Sequence, residues 1–224
     1  MKITSELVQK SGGLIALHPE VNDWTGKKFM MFDDGGVELE VGEFLYGLMR
    51  VLKPDRVLET GTYTGISAMY MAQGLKDNGF GSLSTIEIDL THKARAEELW
   101  KRVGVDDFAT CIHTDARGYR PHEDDMIDFM FLDSEPEMRF DELVRFFPNL
   151  KPGGYVFIHD LHRHMGQGQP VNPDHPEIPN WPWGELPKQI KDWVKDGDLR
   201  PMHFPTPRGL LGLYKTHPSD YRWV

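Results

Sequence analysis

The chain predicts an α/β fold built on a mostly parallel sheet with helices on both faces, and three observations carry that expectation. Five short apolar runs recur, at Arg56–Thr60, Leu83–Ile88, Phe108–His113, Ile127–Leu132 and Tyr155–Ile158. Runs of this length without polar alternation suit strands covered on both sides. Between them the apolar spacing changes to three and four, the period of a helix face. Strand and helix patterns then alternate in βαβαβ order, which right-handed crossovers convert into a parallel sheet.

Taken in order, Val41 to Leu52 reads as a helix with Phe44, Leu45, Leu48 and Val51 inward, ended by Lys53-Pro54 because proline disfavours helical backbone at the residue before it. After the first strand, Ala68, Met69, Ala72 and Leu75 mark one helix face, and after the second, Ala96, Leu99, Trp100 and Val103 mark another. The clearest stripe is Phe140, Leu143, Val144, Phe147 and Leu150, which stops at Lys151-Pro152-Gly153-Gly154. Beyond Ile158, the segment from Leu161 to Pro187 is rich in His, Pro and Gly, contains Trp181-Pro182-Trp183 and has no period. A stretch of that length without periodicity predicts a functional loop. A last helix, Leu186 to Val194, precedes two strands, Met202–Pro205 and Leu210–Lys215, joined through Thr206-Pro207-Arg208-Gly209 and expected to close the sheet antiparallel.

A length of 224 residues suits one domain. Its expected parts are an N-terminal helical cap over 1–53, a core over 54–160, an acceptor or lid loop over 161–187, and a C-terminal helix and hairpin over 188–224. The formal charge of −10 argues against a basic stripe for nucleic acid and favours a small-molecule partner. No apolar run approaches the roughly 18 residues of a membrane span, and the N-terminus lacks the layout of a signal peptide, so cytoplasmic residence is expected. The lone Cys111 sits in an apolar run and is expected in the core. A homodimer is an open possibility, since Trp24, Phe29, Met30, Met31 and Phe32 suit an interface as well as a lid.

Ligands of open α/β sheets bind beyond the carboxyl ends of the strands. Those ends carry Glu59, Glu87, Asp115, Asp133 and Asp160. Five carboxylates around one crevice repel one another unless a cation relieves them. A dinucleotide has the opposite sign: its pyrophosphate wants backbone N–H groups and no nearby carboxylates. The first turn, Glu59-Thr60-Gly61-Thr62-Tyr63-Thr64-Gly65, also lacks the close G-x-G pair of a pyrophosphate loop. S-adenosylmethionine brings a sulfonium, an ammonium and a ribose without phosphate. It fits this collar, with Glu87 placed for the ribose hydroxyls.

The segments RVLETGTYTGISAMYMAQGL, STIEIDL and MIDFMFLDSEPEMRFDELVRFFPNLKPGGYVFIHD resemble small class I S-adenosylmethionine-dependent O-methyltransferases over roughly residues 40 to 160. Within that class the chain is similar to catechol-type enzymes and somewhat closer to metal-dependent antibiotic-sugar enzymes. The resemblance implies a Rossmann-like three-layer sandwich with a seven-stranded sheet. It places Glu59, Thr60, Gly61, Tyr63, Thr64 and Ser67 around the cofactor, with Asp115 and Ala116 beside adenine and Asp133 completing the set.

Methyl transfer to an alcohol or phenol needs the acceptor proton removed. A divalent ion can do this by lowering the pKa of a coordinated hydroxyl, and carboxylates are the ligands magnesium or manganese prefers. The resemblance assigns Asp133, His159 and Asp160 to such an ion. Asp133-Ser134-Glu135 matches the sugar enzymes' Asp-x-Asp, making Glu135 a candidate base. The lysine and the metal-binding asparagine of catechol-type enzymes are absent, Leu161 standing at the asparagine's place. His159 is the competing base, without a metal, because an imidazole pKa suits that role. His162 and His164 join the metal, contact the acceptor or are solvated; Trp181 and Trp183 line a lid or simply pack the loop. A non-catalytic cofactor-binding scaffold is the reading from another class.

Overall fold

A computed structural model describes residues 2–21, 26–32, 36–161, 171–172, 175–179, 187–204 and 206–218 of the chain. His162, His164, Trp24, Trp181 and Trp183 lie outside them. The chain divides into two compact units, residues 1–119 and 120–224.

The first unit contains α1 (Lys2–Ser11), β1 (Leu17–Val21), β2 (Lys28–Phe32), α2 (Leu39–Leu52), β3 (Arg56–Thr60), α3 (Ile66–Asn78), β4 (Ser82–Glu87), α4 (Leu90–Val103) and β5 (Ala109–His113). Strands β3, β4 and β5 are parallel neighbours, as the apolar runs predict. Helix α3 is buried from Ile66 through Leu75 and is the spine of this unit. It packs on α2 at close range: a Cβ on Gly74 would lie 2.6 Å from Met49 Cβ, and one on Gly42 2.7 Å from the Tyr70 ring.

That approach turns α2 relative to expectation. Val41, Leu45 and Met49 are its buried residues, while Val51 is 79% exposed. The expected helical cap over 1–53 also needs correction, because β1 and β2 form an antiparallel pair within it. Alternation over Lys28–Phe32 is weak, with Phe29, Met31 and Phe32 all buried, so a period of two is hard to read there.

The second unit contains β6 (Ile127–Leu132), α5 (Arg139–Phe146) running into a 3-10 turn at Phe147–Asn149, β7 (Leu150–His159), β8 (Val171–Asn172), β9 (His175–Pro179), α6 (Lys188–Lys195), β10 (Leu199–Phe204) and β11 (Leu210–Lys215). Strand β6 runs parallel to β7, and β11 pairs antiparallel with both β7 and β10, so the C-terminal hairpin is as expected. The sheet has seven strands, in the order β10-β11-β7-β6-β3-β4-β5. This is the mostly parallel, Rossmann-like α/β fold.

Two readings change in this unit. Strand β7 begins at Leu150, five residues ahead of Tyr155, because Lys151-Pro152-Gly153-Gly154 is absorbed as an irregularity in the pairing with β6, with Gly153 at φ 86. The buried face of α5 is Arg139, Glu142, Leu143 and Phe146; Phe140, Val144 and Phe147 are only partly covered. Of the expected stripe only Leu143 is buried within the helix, and two of the four buried positions carry charge. In the former loop segment, β8 and β9 form a short antiparallel pair.

Candidate active site

The chemistry-bearing side chains fall into two clusters, one in each unit. In the first unit, β3 delivers Glu59 to a fully buried position, where its Oε1 accepts a short hydrogen bond from Ser67 Oγ on the first turn of α3. The turn between them is held from behind. Gly61 N and Thr62 N both donate to Ile86 O, at 3.1 and 3.2 Å, and Gly65 N donates to Thr62 O at 2.8 Å. Gly61 and Gly65 stand at φ 80 and 83, and Tyr63 holds the left-handed region at φ 47 without being glycine. Trp100 Nε1 on α4 donates to Gly65 O at 2.8 Å and locks the start of α3. The hydroxyl of Thr64 is buried with no hydrogen-bond partner among the described residues, an arrangement that costs free energy unless a ligand supplies one.

Glu87, ending β4, accepts from Tyr63 N at 2.7 Å with one oxygen and from Asp89 N at 2.8 Å with the other. Those bonds fix the plane of the carboxylate. His92 joins from α4: its ring meets the Tyr63 ring edge-on at 4.6 Å, and its Nδ1 lies 3.9 Å from Glu87 Oε1. This Tyr63–His92 pair is not legible from spacing, since the residues are far apart in sequence. Asp115 accepts from Arg117 N at 2.9 Å, and Gly118 N and Tyr119 N donate back to its carbonyl. Its carboxylate also pairs with the Arg117 side chain at 2.7 Å. Asp115 therefore caps a turn, with Ala116 buried beside it. Thr60 is fully buried and Cys111 is a core residue, its thiol pushed up by burial.

In the second unit, Asp133 follows β6, His159 ends β7 and Asp160 follows it. His159 Nδ1 lies 3.0 Å from Asp133 Oδ2. An ionised carboxylate can only accept, so the proton of that hydrogen bond sits on Nδ1. Burial pushes the Asp133 carboxyl up, but the facing His159, Arg139 and Arg208 outweigh it and hold it below the usual carboxylate range. Asp133 keeps 15% of its side chain exposed; His159 and Asp160 keep none. Glu135, by contrast, stands exposed on the following turn.

Two arginines complete the cluster. Arg139, buried on α5, donates from Nε to Ser134 O at 2.7 Å and from Nη1 to His159 O and to Asp160 O, the last at 3.3 Å. Its Nη2 lies 3.1 Å from Asp133 Oδ1 and 3.8 Å from Asp160 Oδ2. Arg208, in the β10–β11 turn, grips Asp160 with two parallel bonds, Nε to Oδ1 at 2.9 Å and Nη2 to Oδ2 at 2.8 Å. Leu161 N donates to Gly209 O at 3.3 Å, tying the same turn to the end of β7.

These contacts give the expected metal set of Asp133, His159 and Asp160 other partners. Both Asp160 oxygens and one Asp133 oxygen face guanidinium groups, and the other Asp133 oxygen faces the N–H of His159. Two carboxylates are balanced by two resident cations, which leaves no negative charge for a divalent ion. Among the described residues no group of three or more His, Cys, Asp or Glu side chains is arranged to hold a metal. The donor set does not fit one.

The fold is one shared with solved methyltransferases. Comparison with known proteins agrees: residues 58–161 match a family profile described as "Methyltransferase domain". A provisionally named O-methyltransferase of Mycobacterium sp. (strain JLS) is 27% identical over 131 residues, covering 56% of this chain and 57% of the relative. The chain thus spans little more than half the length of that relative. Among solved structures, the O-methyltransferase TomG from Streptomyces achromogenes, in complex with S-adenosylmethionine, matches with a TM-score of 0.62 at 19% identity, over 81% of this chain and 82% of that one. The Podospora anserina methyltransferase PaMTH1, bound to S-adenosylhomocysteine, matches with a TM-score of 0.64 at 19% identity, over 96% and 94%. No helix among the described residues is long and apolar enough to cross a membrane.

Proposed function

We propose that the chain transfers a methyl group from S-adenosylmethionine to a hydroxyl of a small molecule, a sugar or a phenol, without a divalent metal. The observation that carries the reading is the cluster of buried Glu59, Ser67 and Thr64, the last with no hydrogen-bond partner among the described residues, around a two-glycine turn inside the segment that matches a methyltransferase domain. Bound S-adenosylmethionine supplies the electrophilic methyl group. Glu59 offers negative charge to its cationic end, Thr64 Oγ1 gains a partner, and Glu87, fixed by Tyr63 N and Asp89 N, accepts from the ribose hydroxyls.

The acceptor proton is the task of the second cluster. With Nδ1 protonated toward Asp133, neutral His159 carries its lone pair on Nε2, the nitrogen that accepts the proton. Asp133 orients the ring and stabilises the imidazolium that results. Glu135 has no part in this scheme, since it lies exposed and away from these contacts. A second reading, a cofactor-binding scaffold without turnover, is favoured by the complete burial of His159.

Incubation with labelled S-adenosylmethionine and a panel of hydroxylated metabolites, with and without EDTA, separates these readings. Methyl transfer that survives EDTA and disappears in His159→Ala supports the proposal. Cofactor binding without transfer to any acceptor supports the scaffold, and transfer abolished by EDTA overturns the metal-free step.

A further inference from the structure

The charge of the second cluster has an unusual owner. The collar of strand-end acids asks for a cation, and here the chain provides its own. Arg139 is 4% exposed and Arg208 22%, and between them they contact both carboxylates and the two carbonyls that flank the β7 terminus. Arg139 reaches several points of the cluster at once, among them the Asp133 carboxylate and the carbonyls of Ser134, His159 and Asp160. A planar guanidinium with donors in a fixed fork can do this, whereas a spherical ion imposes its own coordination geometry instead. Asp160 adds a second mark of design around cations within the chain. It is fully buried, holds φ 60 without being glycine, and spends both oxygens on the Arg208 fork.

We infer that Arg139 and Arg208 are fixed internal cations in the place of a divalent ion: they exclude the ion, and Arg139 is the positioning residue that sets Asp133 and His159 relative to each other. The inference rests on the methyl-transfer reading only for its catalytic consequence; the exclusion of metal is a property of the cluster itself. One buried and one part-buried positive charge next to the carboxylates repel an incoming dication and occupy the oxygens it would use. Neutralising them leaves Asp133, Asp160 and His159 as a hard-oxygen and imidazole set of the kind manganese(II) accepts.

The test is manganese(II) binding to the full chain, read by loss of the free-ion electron paramagnetic resonance signal, with no acceptor present. The native chain is expected to leave the signal unchanged at millimolar manganese. Arg139→Met/Arg208→Met, which keeps side-chain bulk and removes both charges, is expected to bind manganese at least tenfold more tightly than the native chain, and Asp133→Asn added to it abolishes that gain. Should the double variant fail to fold, Arg208→Met alone carries the test: it gains weaker binding, which Arg208→Lys does not show. Native binding that disappears in Asp133→Asn overturns the inference, as does a folded charge-removing variant with no gain. S-adenosylmethionine affinity, measured by calorimetry on the same samples, reports on the methyl-transfer reading separately, because the cofactor cluster contains neither arginine.

Discussion

Replacing Gly65 by alanine places a methyl carbon 2.7 Å from Ala96 Cβ, 2.7 Å from Trp100 Nε1 and 3.0 Å from Ala96 Cα. Neither α4 nor the start of α3 can yield easily, because Trp100 is buried and hydrogen-bonded to the carbonyl of Gly65 itself. The backbone at φ +83 adds the left-handed cost of an L residue, roughly 1–2 kcal/mol. Overpacking adds roughly 1–3 kcal/mol, for a total of about 2–5 kcal/mol. Against a typical stability of about 5–15 kcal/mol the variant still folds at room temperature, with a clearly lower urea midpoint and an unchanged slope. Trp100→Phe removes one of two donors to the Gly65 carbonyl, Met69 N remaining at 2.9 Å, and costs about 0.5–1.5 kcal/mol from that bond. It also removes one of the clashing atoms, so the double variant should lose less than the sum of the two single losses. Urea unfolding followed by circular dichroism measures all three. A midpoint for Gly65→Ala equal to the native one refutes the tight turn, and strict additivity refutes the Trp100 contact.

Three further outcomes follow from the same geometry. Thr64→Val, which replaces a buried hydroxyl that has no partner among the described residues, should leave thermal stability unchanged or raised while weakening S-adenosylmethionine about tenfold by calorimetry; lost stability with intact binding would reverse the assignment. Arg208→Ala breaks a pair whose carboxylate is fully buried and should cost about 3–5 kcal/mol in urea unfolding, whereas a loss below about 1 kcal/mol, the level of a surface pair, would argue against it. Burial pushes the His203 imidazole below its ordinary 6.5. The folded chain then binds fewer protons than the unfolded one, so stability falls as pH drops from about 6.5 toward the folded value and levels off below it. His203→Gln should flatten that window in a series of urea midpoints against pH.

The sheet was legible because its strands are covered on both faces. Arg56–Thr60, Ile127–Leu132 and Leu210–Lys215 stand where their apolar runs end, and the four others shift by a residue or a few. What escaped was governed by contacts between segments. Helix α2 turns its face to suit Gly42 and Gly74, a fit no periodicity contains. Strand β7 runs through Pro152 and Gly153, residues that locally signal a stop. The strand-end positions of Glu59 and Glu87 could be read from the sequence, and both carboxylates hydrogen-bond within the segment from Tyr63 to Ser67. The acceptor-side acids were read as waiting for a metal because their partners are distant: Arg208 is 48 residues from Asp160, and Arg139 sits on a helix face that spacing marks as apolar. The available signal was charge balance. Buried acids call for cations, and arginines near the same strand ends were candidates alongside an external ion.

The central claim is that the cluster of Glu59, Thr64, Ser67 and Glu87 holds S-adenosylmethionine. Titration calorimetry of the native chain and of Glu87→Ala against S-adenosylmethionine tests it most directly. One-to-one binding in the micromolar range, weakened at least tenfold by the substitution, is the predicted result. No heat at millimolar cofactor, or binding indifferent to Glu87, would contradict it.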